Sequence, residues 1–171
     1  MDHAAGKRVL VYREVQHFSP FVVGGTIALL AVALALIALL GPSSPGQGWA
    51  PPALAAVIMV AAASALLMLR LVTEVDSHDV RVRLAPFQPH GRVVVLADVA
   101  AVRPLQYSPL RDYGGWGIRK GRTGWAYNAR GDRGVLLTLG SGDTLLIGSQ
   151  QPERLAAALA SGVSAAVRPG A

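Results

Sequence analysis

Cysteine is absent from all 171 residues. Disulfides, thiolate nucleophiles and Cys-ligated zinc are therefore excluded, and the chain suits a reducing compartment. Lysine is almost absent as well. Only Lys7 and Lys120 accompany the arginines within a total of 16 basic residues. The formal charge of +6 invites a nucleic-acid reading, because basic domains attract polyanions. The arginine bias reads more simply as the mark of a GC-rich genome, and basic residues beside apolar runs commonly serve topology, so nucleic acid is set aside as a partner.

The most consequential absence is local. Residues 21–40 and 53–69 contain no charged side chain, and neither does the segment 41–52 between them. A helix needs about 20 mostly apolar residues to cross a bilayer core, and one charge at its centre costs roughly 3 kcal/mol. These runs predict a transmembrane hairpin with spans over 21–40 and 53–70 and an external loop over 41–52, in which Trp49 is an interfacial aromatic. A secretory signal peptide is the rival for the first run, but its apolar core would be shorter, about 7 to 15 residues. Lys7, Arg8 and Arg13 precede the first run, while Arg70, Arg81 and Arg83 follow the second. The positive-inside bias then predicts an inner-membrane protein with both termini cytoplasmic. Residues 1–20 are expected to form a separate cytoplasmic interfacial segment. Neither run carries an ionisable group at depth, which favours an anchor over a conduit. Gly24, Ala28, Ala31, Ala35 and Ala38 recur at steps of four and three, a stripe of small residues that could pack against the second helix or a neighbouring subunit, including a second copy of the chain.

Beyond Leu71 the pattern changes from continuous apolar to alternating, as in half-buried strands. Residues 71–75 and 80–84 read as a hairpin turned by Asp76-Ser77-His78-Asp79. Strands follow over 92–96 and 99–107, with Pro104 placing the second at an edge or bulge. Residues 125–128 offer a further strand, and 135–139 with 144–148 make a hairpin around Gly140-Ser141-Gly142-Asp143. Pro152 and Glu153 open a helix bearing Leu155 and Leu159. The expected fold class is thus an α+β membrane protein: a helical hairpin, a cytoplasmic antiparallel domain of about six or seven strands over 73–163 closed by a helix, and a flexible tail over 164–171.

Chemical signatures are scarce. His3, His17, His78 and His90 are dispersed, without metal-ligand spacing, so no metal site is expected. Gly115-Trp116-Gly117 begins like a dinucleotide fingerprint, but Lys120 stands where its third glycine belongs. No cofactor and no catalytic group are expected. One segment stands out, 111–133, which carries six basic residues against Asp112 and Asp132 and is interleaved with aromatics and glycines. Its candidate ligand- or partner-binding residues are Tyr113, Gly114, Gly115, Trp116, Arg119, Lys120, Arg122, Tyr127 and Asn128. Glycines permit close approach, aromatics suit interfaces and arginines pair with anions. A plainer reading makes the segment a long hairpin whose aromatics pack on the sheet while its arginines stay solvated.

The pattern of residues 74–83, the Leu96-Ala97-Asp98-Val99 step, the Tyr113-Gly114-Gly115-Trp116-Gly117-Ile118-Arg119 segment with Tyr127-Asn128, and the ending Leu146 to Gln150 followed by Pro152-Glu153-Arg154-Leu155 resemble those of a group of small bacterial membrane proteins with two N-terminal helices and a pleckstrin-homology-like domain. The resemblance implies a two-sheet barrel or sandwich capped by a helix, with a binding or scaffolding role toward a protein partner or an anionic lipid headgroup. An alternative role is that of a small auxiliary subunit of a membrane transporter or envelope enzyme complex, docking through its helical hairpin.

Overall fold

The computed structural model describes residues 9–40, 50–122 and 124–167. The expected external loop with Trp49 lies outside the described residues from 41 to 49, as does the end of the tail from 168. The chain divides into two compact units, Phe18–Leu69 and a second one built from Met1–His17 together with Arg70–Ala171.

The first unit is a pair of apolar helices, α1 (Pro20–Leu40) and α2 (Ala50–Met68), packed on each other. Within α1, Pro20–Leu39 is long and apolar enough to cross a membrane. The apolar part of α2, Pro52–Met68, is shorter. Length and composition therefore support one span, where two were expected, because α2 begins on prolines and is rich in small residues. The half-buried positions of α1 include Val23, Thr26, Leu30, Leu34 and Ile37, whereas Gly24, Ala28, Ala31, Ala35 and Ala38 are all exposed. The small-residue stripe is thus not part of the face that α1 buries within this unit.

The second unit contains two sheets. Strand β1 (Leu10–His17) joins β2 (Arg70–Asp76), β3 (Asp79–Ala85) and β4 (Arg92–Val95) in an antiparallel sheet of order β1-β2-β3-β4. The second sheet comprises β5 (Val99–Gln106), β6 (Gly117–Lys120), β7 (Gly124–Asn128), β8 (Arg133–Leu139) and β9 (Thr144–Gly148), in the order β5-β8-β9-β7-β6. A short helix, α3 (Pro109–Tyr113), precedes β6, and α4 (Pro152–Val167) ends the unit, running into the stretch expected as a flexible tail. Among the described residues the sheets do not close into a barrel, and nine strands replace the expected six or seven. The excess has two sources. Residues expected to form an interfacial segment supply β1, and the 111–133 segment supplies β6 as well as the expected β7.

Strand β1 is the main correction. It pairs antiparallel with β2 across more than fifty residues of intervening chain, from Tyr12 opposite Val75 to His17 opposite Arg70. Tyr12, Glu14 and Gln16 alternate inward while Val11, Arg13 and Val15 stay exposed, the period of a half-buried strand.

The remaining elements follow local chemistry. The Asp76 carboxylate accepts the N–H groups of His78 and Asp79, each at 2.8 Å, and so builds the β2–β3 turn. Gly142 has φ +87°, which the β8–β9 hairpin turn requires. Pro104 lies on β5, an edge strand, where its missing N–H breaks no ladder. Leu71, Val75, Val80 and Val82 of the first sheet are fully buried, as are Val135, Leu137, Leu145 and Ile147 of the second. Helix α4 packs on β5, β8, β1, β2 and the 3₁₀ turn Leu96–Asp98, burying Leu155 and Leu159 and setting Gly162 directly against Leu96. It therefore bridges both sheets, as an amphipathic cap should.

Candidate functional site

The described residues of the 111–133 segment form α3 and the strands β6 and β7 at one edge of the second sheet. Strand β7 runs parallel to β9, with Trp125 opposite Leu145 and Tyr127 opposite Ile147. Strand β6 pairs antiparallel with β7 and forms the outer edge, Ile118 opposite Tyr127 and Lys120 opposite Trp125.

Helix α3 is held at both ends. Its start carries Pro109, and the Asp112 carboxylate accepts the Ser108 N–H at 2.7 Å, which holds its pKa below the usual carboxylate value, with help from Arg111. Its end is closed by a left-handed glycine: Gly114 N–H donates to Leu110 O at 3.0 Å and Gly115 N–H to Pro109 O at 2.9 Å, with Gly114 at φ +70°. Gly114 and Gly115 thus terminate a helix, a structural reason for two candidate binding residues.

The aromatics divide by burial. Tyr113 meets Tyr107 edge-on, the ring centroids 5.9 Å apart, over a small core of Ala126, Leu146, Leu105 and Leu136 on the face of the sheet opposite Leu145 and Ile147. Gly121 lies against the Tyr113 ring so closely that a Cβ there would stand 2.6 Å from Cδ1, which docks the β6–β7 turn on α3. Trp116 is half-buried and its Nε1–H donates to Gly131 O at 3.3 Å. Tyr127 is buried. Asn128 is fully buried, and its Oδ1 accepts the Gly117 N–H at 2.9 Å. Trp125 remains exposed on the β7 side of the turn.

The basic residues are the part that faces solvent. Arg119 is exposed, its Nε–H donating to Trp116 O at 3.1 Å. Arg111 pairs with Asp112 at 3.4 Å and Arg133 with Glu153. Lys120 and Arg122 are exposed and form no ion pair among the described residues. An open cleft of about 350 Å³ lies between Arg111, Asp112, Tyr113 and Arg122. A second, of about 420 Å³, is lined by Gln106, Tyr107, Ser108, Pro109, Arg111 and Asp132. Sequence-predicted residues are therefore brought together in part: Tyr113 and Arg122 share a cleft wall, Arg119 and Lys120 lie on the adjacent edge strand, and Tyr127 with Asn128 point into the fold.

A second cluster escaped the sequence reading. The Glu14 carboxylate on β1 accepts the Tyr12 hydroxyl at 2.7 Å, the Ser149 hydroxyl at 2.6 Å and the Gln150 N–H at 2.8 Å. Two residues on, the buried Gln16 donates from Nε2 to Gly148 O at 2.7 Å. These bonds tie the strand preceding α1 to the end of β9. Gly148 is itself constrained, since a Cβ there would stand 2.9 Å from Asn128 Cβ and 3.3 Å from Tyr107 Oη. Burial is the main reason that the Tyr107 hydroxyl is pushed up to about 12; the neighbouring Asn128 amide acts the other way and is the smaller influence. Burial also raises Tyr12 to about 12, reinforced by its bond to Glu14. The alternation of Tyr12, Glu14 and Gln16 was the one available signal for this cluster.

Among the described residues, no group of three or more His, Asp or Glu gathers as a metal site. Set against known families and curated proteins, the chain matches no family model and no curated sequence.

Proposed function

We propose that this chain is a membrane-anchored, pleckstrin-homology-like binding module that holds a β domain at the cytoplasmic face of the inner membrane and presents the α3–β6–β7 edge to a protein partner. The observation that carries the anchored geometry is the pairing of His17 with Arg70. The chain leaves the first sheet at one of these residues and re-enters it at the other, so both ends of the helical pair attach at the same place. If α1 crosses the bilayer, α2 must cross back. Its 19 residues at 1.5 Å each reach about 28 Å, close to the roughly 30 Å hydrocarbon core. The hairpin of two spans rests on this connectivity, and the positive-inside bias of Arg70, Arg81 and Arg83 puts the domain in the cytoplasm.

A protein partner is favoured over a lipid headgroup at the basic edge. The β6–β7 turn bearing Lys120 and Arg122 lies beside Thr144, through the Gly124–Thr144 pairing. Thr144 adjoins the β8–β9 turn, which bonds to Asp98 through Gly140 N–H at 2.8 Å, at the corner of the fold away from His17 and Arg70. Exposed arginine and tryptophan with a cleft beside them are the composition of a protein-binding anchor. The role is binding rather than catalysis.

The test uses a photo-crosslinker at Lys120 in native membranes. A discrete protein adduct is expected, lost when Arg119, Lys120 and Arg122 are neutralised, with the protein still in the membrane fraction. Release of that triple variant into the soluble fraction would overturn the anchor, and an adduct pattern indifferent to it would overturn the site. One observation favours the alternative of an auxiliary subunit docking through the helices: the small-residue stripe of α1 is exposed. Under that reading Ala31→Leu with Ala35→Leu abolishes recovery of the complex, and under the leading one it has little effect.

A further inference from the structure

The two ends of the first sheet differ in charge. At one end stand the chain exits, His17 and Arg70, and the register continues from Arg70 to Ala85, so the β3–β4 turn lies beside them. The segments that meet there, 15–17, 70–72 and 83–92, contain His17, Arg70, Arg83, His90 and Arg92 and no acidic residue. At the other end three turns are joined by hydrogen bonds, Leu96 N–H to His78 O and Gly140 N–H to Asp98 O, each 2.8 Å. These turns carry Asp76, Asp79, Asp98 and Asp143, and the β6–β7 turn with Lys120 and Arg122 lies beside the last of them. Strand β2, seven residues long, separates the ends by about 20 Å, roughly two Debye lengths at physiological salt.

The basic end also bears an apolar tip. Phe87 is 65% exposed. The turn that carries it is firmly built: Gln88 N–H donates to Leu84 O at 2.8 Å, and Leu84 N–H reaches Gln88 Oε1 at 3.4 Å. Gly91, at φ +63°, closes it against β3, where a Cβ would stand 2.5 Å from Val82 O and 2.6 Å from Arg83 Cβ. An exposed phenylalanine on a stiff, arginine-flanked turn suits the boundary between headgroups and acyl chains, with the arginines toward anionic headgroups.

We infer that the Ala85–Arg92 turn is a membrane-contact element, with Phe87 entering the interfacial layer and Arg70, Arg83 and Arg92 meeting anionic headgroups, so that the bilayer fixes the tilt of the domain and turns the basic α3–β6–β7 edge away from lipid. The inference rests on the anchored reading above. The occupant is the lipid surface because the chain exits toward α1 and from α2 adjoin the turn, and because the charge of this end complements an anionic leaflet.

The absence of cysteine makes the test direct. Single-cysteine variants Phe87→Cys, Ser141→Cys and Ile27→Cys of the full chain are labelled with an environment-sensitive fluorophore and reconstituted in phosphatidylcholine vesicles containing phosphatidylglycerol, with lipid-attached quenchers. The expected result is blue-shifted, quenched emission at positions 27 and 87 and water-like emission at 141, with the shift at 87 reduced when phosphatidylglycerol is omitted. Water-like emission at 87 with lipid-like emission at 27 overturns the contact while leaving the anchor standing. Water-like emission at both overturns the anchor, and the contact with it. Lipid-like emission at 87 and 141 alike would show unspecific adsorption and overturn the proposed orientation.

Discussion

Replacing Glu14 by alanine removes an acceptor that three donors share, and the structure sets the size of the loss. Its carboxylate receives the Ser149 hydroxyl at 2.6 Å, the Gln150 N–H at 2.8 Å and the Tyr12 hydroxyl at 2.7 Å. A hydrogen bond to a charged group contributes about 1.5 to 3 kcal/mol when shielded. Glu14 is only half-buried, so solvent screening discounts each bond. The Gln150 N–H and the Tyr12 hydroxyl can turn to water, but Ser149 is fully buried and loses its acceptor there. The expected cost is about 2 to 4 kcal/mol. For a unit of about 120 residues, 1 kcal/mol corresponds to roughly 4 °C. Glu14→Ala should therefore lower the unfolding midpoint of the β domain by about 8 to 16 °C, read by tryptophan fluorescence in detergent micelles, with loss of hydrogen-exchange protection first in β1. Glu14→Gln, which keeps one acceptor oxygen, should fall between it and the parent. In the double variant with Ser149→Ala the losses should be less than additive, because both changes break the same bond. A midpoint within about 2 °C of the parent, or strictly additive losses, would refute the role assigned to this cluster.

Asn128 should prove structural: Asn128→Ala leaves the buried Gly117 N–H without its acceptor and should cost about 1 to 3 kcal/mol, measured by chemical unfolding. An Asn128→Ala variant as stable as the parent that lost the Lys120 adduct would instead make it a binding residue. Alkaline pH should destabilise the domain through Tyr107, whose pKa is raised to about 12 in the fold against about 10 when unfolded. Between these values the folded state keeps a proton that the unfolded state has lost, so the contribution is complete below pH 10 and fades as pH rises through 12, by at most about 3 kcal/mol. Tyr12, more exposed, adds a smaller loss in the same window. Tyr107→Phe should flatten the decline measured by unfolding across that range, and an unchanged slope would count against the burial argument.

Local patterns were legible wherever the cause was local. The apolar runs, the Asp76 turn, the 135–148 hairpin and the Pro152 helix start each depend on residues within a few positions of one another, and each appears where the sequence placed it. The candidate segment was legible as unusual but not as to purpose, because composition does not distinguish an arginine that stays in solvent from an asparagine that turns inward to hold Gly117. Burial depends on the neighbouring strand, and that neighbour is set by the parallel pairing of β7 with β9.

By itself, then, the sequence determined that the chain has apolar helices, an alternating β region and an arginine-rich insertion without thiol chemistry, since these follow from composition and short-range periodicity. Only the tertiary structure decided that residues 10–17 belong to the β domain, that the small-residue stripe is exposed, and that the chain exits at His17 and Arg70 adjoin the arginine-flanked β3–β4 turn. All three depend on which distant segments pair. Strand register carries that information, and a register between β1 and β2, more than fifty residues apart, leaves no periodic trace in the residues that lie between.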